Sequence, residues 1–95
     1  EAFLQRTFRL VHTGLDYLFD QLDRLGVRYF PTQSNFFLID VQTDADVVFE
    51  QLLTQGVIVR SMRSYGYPHY IRINVGLPAE NERFVTALGR VLKLT

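Results

Sequence analysis

The residues of this sequence best equipped to bind a charged ligand are gathered in one stretch. Between Gln51 and Ala79 there is no aspartate or glutamate, and the same stretch holds Arg60, Arg63, Arg72, His69, Tyr65, Tyr67 and Tyr70. Ten acidic residues balance ten basic ones over the whole chain, so formal neutrality conceals a basic, aromatic segment flanked by acidic ones. Guanidinium groups gathered without acidic neighbours repel one another. A fold keeps such a cluster where something negative satisfies it: a ligand carboxylate, a phosphate, or acidic side chains from elsewhere in the chain. For any one arginine taken alone, a surface ion pair with Asp16, Asp20, Asp40 or Asp46 is the plainer account. Arg72 stands apart, because Tyr70 and Asn74 flank it at alternate positions while Ile71, Ile73 and Val75 occupy the other face. A purely solvated strand face would not need that polar row.

Other reactive types are scattered. Ser34 and Ser61 have no His/Asp arrangement in reach, so nucleophilic hydrolysis has no support. His12 reads as a partly exposed helical residue, and His69 as a loop residue with no acidic partner nearby in sequence. Tyr65-Gly66-Tyr67-Pro68 is first of all a turn, and its tyrosines read as packing residues with wet hydroxyls. Gly66, Gly76 and Gly89 stand singly rather than in a phosphate-cradling loop. Nine of the ten basic residues are arginine, which leaves Lys93 as the one candidate for amine-based covalent chemistry.

The elements that must position these residues can be read from periodicity. Leu4, Phe8, Val11, Leu15, Leu18, Leu22 and Leu25 alternate in steps of four and three and define one stripe of a long first helix, closed by Gly26. Its 24 or so residues reach about 36 Å, more than this domain needs to cover its own core, so part of the stripe is expected to touch something else. Gly14 should weaken the middle of that helix by about 1 kcal/mol relative to alanine. Val27 to Phe30 and Phe36 to Val41 read as two neighbouring strands broken at Pro31-Thr32-Gln33. Thr43 with Asp46 suggests a capped start for a second helix over about 44–55, ended by Gly56. Val57 to Arg60 and Tyr70 to Val75 read as further strands, and Pro78 opens a third helix that buries Phe84, Leu88, Val91 and Leu92. The expected order is αββαββα: an α/β domain of the α+β kind, with a small, mostly antiparallel sheet packed by helices.

Composition removes several function classes. With 95 residues, 47% of them apolar, the chain should form a single small core. The absence of cysteine rules out a disulfide framework and thiolate zinc sites, and two isolated histidines give no expectation of a metal. No apolar run approaches the 18 to 20 or so residues of a membrane span, and no signal peptide opens the chain, so a cytoplasmic protein without membrane contact is expected. Neutral charge and the lack of an RNP-type octapeptide argue against nucleic acid. Glu1 opens the chain and Met62 is its only methionine, which points to a longer parent protein.

Several blocks together carry a family resemblance: Ser34-Asn35-Phe36, Gln55-Gly56-Val57-Ile58-Val59-Arg60, Tyr65-Gly66, Ile71-Arg72-Ile73-Asn74-Val75-Gly76 and Glu80-Asn81-Glu82-Arg83-Phe84. In spacing and order they resemble the C-terminal small domain of pyridoxal-phosphate-dependent, fold-type I (class I/II) aminotransferases, in particular the histidinol-phosphate aminotransferase branch. The resemblance spans nearly the whole chain. It implies that residues 1–95 form the small domain of a larger, homodimeric enzyme of histidine biosynthesis, with the first helix joining it to a large domain. It implies that Arg72 binds the α-carboxylate of an amino-acid substrate and Arg60 the far end, a phosphate or side-chain carboxylate, with Asn35 and Tyr65 as accessory residues. It also implies that pyridoxal phosphate and its Schiff-base lysine belong to the large domain, so that no catalytic residue lies in this chain. Ser61 stands where an aspartate is frequent, and Asn74 and Leu77 where threonine is common. Related decarboxylases share the fold. Two other readings of the same residues stay open: a free-standing module binding an anionic metabolite through Arg60, Arg63 and Arg72, and an interaction domain built on the stripe of the first helix.

Overall fold

The structure, a computed structural model, describes residues 2–31 and 35–94, with side chains from residue 9 onward. Its elements are α1 (Ala2–Leu25), β1 (Arg28–Phe30), β2 (Phe36–Asp40), α2 (Ala45–Thr54), β3 (Arg60–Ser61), β4 (Tyr70–Asn74) and α3 (Pro78–Val91), with a single 3₁₀ turn at Arg63–Tyr65. The four strands form one sheet in the order β1-β2-β4-β3, and every neighbouring pair is antiparallel. This is the αββαββα arrangement that the periodicity predicts.

Alternation along the central strands decides where the core lies. Phe37 and Ile39 of β2 and Ile71 and Ile73 of β4 are buried, while Phe36, Leu38, Asp40, Tyr70, Arg72 and Asn74 between them stay partly or fully open to solvent. The buried face meets the helices. Leu15, Leu18 and Leu22 of α1, Val48 and Leu52 of α2, and Phe84 and Leu88 of α3 close one continuous core with it. Phe19 of α1 stacks on Tyr29 at 4.7 Å between ring centroids and meets Phe37 edge-on at 4.9 Å, which fastens the helix to the β1 side of the sheet. In the predicted stripe Val11 and Leu25 are half-buried, whereas the side chains of Leu4 and Phe8 lie outside the described residues. Ser34 and most of the predicted break at Pro31-Thr32-Gln33 lie outside them as well.

Three local expectations are corrected. The N-cap of α2 is Asp44, not Thr43, because the Asp44 carboxylate accepts the Asp46 amide at 2.9 Å. Of the predicted strand Val57 to Arg60 only Arg60 pairs with β4, and Ser61, just beyond it, continues the ladder; Val57 and Val59 are buried without joining it. Gly14 is a contact residue rather than a mere weakness in α1. A Cβ there would run into Val75 Cγ1 and come within 3.0 Å of Asn81 Nδ2, so glycine is what lets α1 lie against the end of β4 and the start of α3. Asn81 is 4% exposed and closes the same corner, accepting the Gly76 amide at 2.9 Å and donating to the Gly76 carbonyl at 3.1 Å.

Gly14→Ala should therefore destabilise the chain by about 1 kcal/mol net, overpacking outweighing alanine's better helix propensity, as a lower denaturation midpoint will show. A second expectation concerns Tyr29. Burial first, and then the hydrogen bond to the Asp23 carboxylate (2.9 Å) and its charge, raise the Tyr29 phenol above the usual tyrosine value. The folded form thus holds this proton more tightly than the unfolded chain, a contribution fully present at neutral pH and lost as pH rises past about 10. Tyr29→Phe should lower stability at pH 7 by about 1 kcal/mol and make the alkaline decline shallower, measured by chemical denaturation at a series of pH values.

Candidate functional site

The open face of the sheet brings Arg60 and Arg72 together. Arg72 pairs with Leu38 on one side and with Arg60 on the other, so Phe30, Leu38, Arg72 and Arg60 form one row across all four strands. Residues directly opposite in antiparallel strands have Cβ atoms roughly 5 Å apart, and two like charges so placed oppose folding by up to about 1 kcal/mol. Among the described residues neither guanidinium has an acidic partner: the ion pairs are Arg24 with Asp20 and Arg63 with Asp44 and Asp46. Arg72 is instead held by a ring. Its Cζ lies 4.9 Å from the centroid of Phe36, two residues from Leu38 on the same face of β2, a cation–π contact worth about 0.5–1 kcal/mol that orients the guanidinium without neutralising it. Such a pair suits an anion, which would relieve the repulsion and offer several oxygens to parallel N–H donors.

Arg63 has a different fate. Its Nη1 donates to Asp44 Oδ2 at 3.0 Å and lies 3.7 Å from Asp46 Oδ2, an exposed ion pair to the first turn of α2. For this residue the surface ion pair is the correct account, with Asp44 added to the acids considered from sequence. The three-arginine site of the binding-module reading is thereby reduced to two. Asn35 and Tyr65 are both exposed and lie toward opposite ends of β4. The Asn35 carbonyl accepts the Val75 amide at 2.7 Å, and Tyr65 closes the 3₁₀ turn that follows β3. Neither belongs to the Arg60–Arg72 row. His69 is exposed, and its backbone carbonyl, not its ring, is engaged, accepting the Val41 amide at 2.9 Å.

Tyr67 and Tyr70 of the basic segment, joined by Phe30 and Phe36, which its composition does not include, complete the face. Phe30 stacks on Tyr70 at 5.4 Å and Tyr67 tilts against Tyr70 at 5.8 Å, so rings run beside the guanidinium row. The signal was present in the sequence: Phe36, Leu38 and Asp40 share one strand face by alternation, and the two apolar members make that face unlike a solvated one. A separate hollow of about 420 Å³ lies between residues 56–59 and the start of α3, lined among others by Val57, Val59, Asn74, Glu80 and Phe84, and includes neither Arg60 nor Arg72. The arginines therefore form a cationic row on the open face of the sheet and do not line that hollow.

The sequence profile of aminotransferase class I and II matches residues 2–88. A histidinol-phosphate aminotransferase of Desulfotalea psychrophila is 47% identical over 91 residues, and one of Pseudomonas aeruginosa 42% identical over 90. These alignments take in 96% and 95% of this chain but 24% of each relative, so the chain spans about a quarter of their length. Among solved structures, the L-threonine-O-3-phosphate decarboxylase of Porphyromonas gingivalis superposes with a TM-score of 0.81 at 26% identity, over 90% of this chain and 28% of that one. The histidinol-phosphate aminotransferase of Clostridium acetobutylicum shares the fold with a TM-score of 0.79 at 18% identity, over 90% of this chain and 27% of that one. With a family match covering nearly its whole length, the chain belongs to the class I and II aminotransferases, a pyridoxal-phosphate-dependent family.

Proposed function

We propose that residues 1–95 are the C-terminal small domain of a cytoplasmic histidinol-phosphate aminotransferase and that Arg72 and Arg60 bind the anionic groups of its substrates. The observation that carries this reading is the facing pair of guanidiniums with no acidic partner among the described residues. A transaminase must accept two substrates in turn, an amino acid ending in a carboxylate and, here, an amine ending in a phosphate. Arg72 takes the planar carboxylate with two parallel N–H donors, while Arg60, one strand over, reaches the distal anion. The names of the Desulfotalea and Porphyromonas proteins both include a phosphate-bearing amine, and a surface with two uncompensated positive charges suits a phosphate dianion better than a lone carboxylate.

The cofactor does not fit the residues of this chain. Lys93, the only lysine, is exposed just past the C-cap of α3, in left-handed backbone with φ 59°, and its amide donates to the Arg90 carbonyl. An amine that forms a Schiff base needs a prepared, partly desolvated setting, which this one lacks. Pyridoxal phosphate, which carries the amino group between substrates, is assigned on this reading to the large domain of a homodimeric full-length enzyme.

Arg72→Lys in the full-length enzyme should lower kcat/KM by about tenfold to a few hundredfold, Arg72→Ala by more, with little change in melting temperature because Ile71 and Ile73 hold the strand. Arg60→Ala should penalise histidinol phosphate far more than histidinol. Normal kinetics with lowered stability for Arg72→Lys would overturn the assignment. The 95-residue chain alone, mixed with pyridoxal phosphate, histidinol phosphate and a 2-oxo acid to accept the amino group, should show no turnover; sustained conversion of the amine to its ketone, with the amino acid formed in equal amount, would place the covalent step in this chain instead.

A further inference from the structure

Arg60 is poorly held by the sheet that carries it. Strand β3 is two residues long and lies at the sheet edge, its ladder consists of Arg60 opposite Arg72 and Ser61 opposite Ile71, and residues 57–59 before it have no strand partner. So short an edge is fixed by its two ladder positions and by the Met62 amide, which donates to the Tyr70 carbonyl at 2.9 Å, while the facing guanidinium of Arg72 opposes the pairing. A further restraint comes from the opposite face. Strand alternation turns Ser61 away from Arg60 and toward the helices, where its hydroxyl donates to Asp46 Oδ1 at 2.6 Å, the length of a charge-assisted bond. The Arg63 amide donates to Ser61 Oγ at 3.3 Å, and the Arg63 side chain bonds Asp44, whose other oxygen accepts the Asp46 amide. Two backbone bonds brace the same corner, from the Ala45 amide to the Pro68 carbonyl at 2.8 Å and from the Val41 amide to the His69 carbonyl at 2.9 Å.

We infer that Ser61 and Asp46 are positioning residues for Arg60: the Ser61–Asp46 bond clamps β3 to α2 and sets the reach of the Arg60 guanidinium toward the distal anion of the substrate. This rests on the functional reading above. It also gives a reason for Asp44 and Asp46 to stand together, since pairing with Arg63 keeps a third cation from competing for the same anion. Ser61 and Asp46 do not touch the substrate. Their effect passes through Arg60 and so follows the phosphate, not the amine.

The test uses the full-length enzyme with two amine substrates, histidinol phosphate and histidinol, which differ by the phosphate alone. Ser61→Ala removes the hydroxyl and little else; it should raise KM for histidinol phosphate by about tenfold while kcat stays within about twofold. KM for histidinol should not move, and Ser61→Thr, which restores the hydroxyl, should restore KM. Asp46→Asn should act in the same direction, and because it also alters the first turn of α2, Ser61→Ala carries the decision. An unchanged KM in Ser61→Ala, with Arg60→Ala still raising it, would overturn the positioning role and leave the functional reading intact. Equal losses on both substrates together with a lower melting temperature would reduce the bond to a structural one and overturn the inference. If Arg60→Ala itself leaves histidinol phosphate unaffected, the functional reading falls and the inference with it.

Discussion

The antiparallel pairing of β2 with β4 is the constraint from which the rest follows. Five matched positions, from Phe36 opposite Asn74 to Asp40 opposite Tyr70, lock the register, and a slip of one residue would exchange the two faces entirely. In this register Phe37, Ile39, Ile71 and Ile73 close the core, and the same pleat obliges Arg72 to face outward beside Phe36. Arg72 and the core residues of β4 are thus alternate members of one strand. Burial of the isoleucines fixes the position of the guanidinium, although Arg72 contributes nothing to the core.

That fixed position creates an electrostatic liability on the open face. Like charges opposite one another across β3 and β4 are tolerated because three features offset them: the quadrupole of Phe36 under Arg72, partial exposure that lets water screen both cations, and the α2 clamp on β3. None of the three supplies a negative charge in the row itself. Asp40 is on the same face, but its Oδ1 accepts the Gln42 amide at 2.9 Å and it pairs with Arg28 and Tyr70 in the ladder, one pleat away from the arginines. The face stays net positive in a chain with no net charge.

Much of this was legible in the sequence, and the parts that were not share a cause. Periodicity located α1, β2, β4 and α3 because each buries one face and repeats its apolar residues at the helical or strand spacing. Arg72 was legible for the same reason, as the polar member of an alternating run. Asp44 was missed as N-cap because Thr43 and Asp44 are both good capping residues and only the fold shows which one accepts the Asp46 amide. The length of β3 was overestimated because Val57 and Val59 are buried like strand residues while their backbone leaves the ladder. The close approach at Gly14, the capture of Arg63 by acids 17 and 19 positions away, and the Ser61–Asp46 bond across 15 positions are tertiary facts without a local pattern.

The self-contained core also bears on how work is divided in the longer protein proposed here. On the functional reading above, the arginines sit on a sheet with a core of its own, so their spacing is set within this chain. That arrangement also makes the anion-binding geometry depend on a register and a clamp internal to this chain. The cost is that substrate and cofactor are aligned only as well as the two units are aligned with each other. On that reading, the corner formed by β3, the 3₁₀ turn and α2 has a bearing on chemistry that takes place outside it.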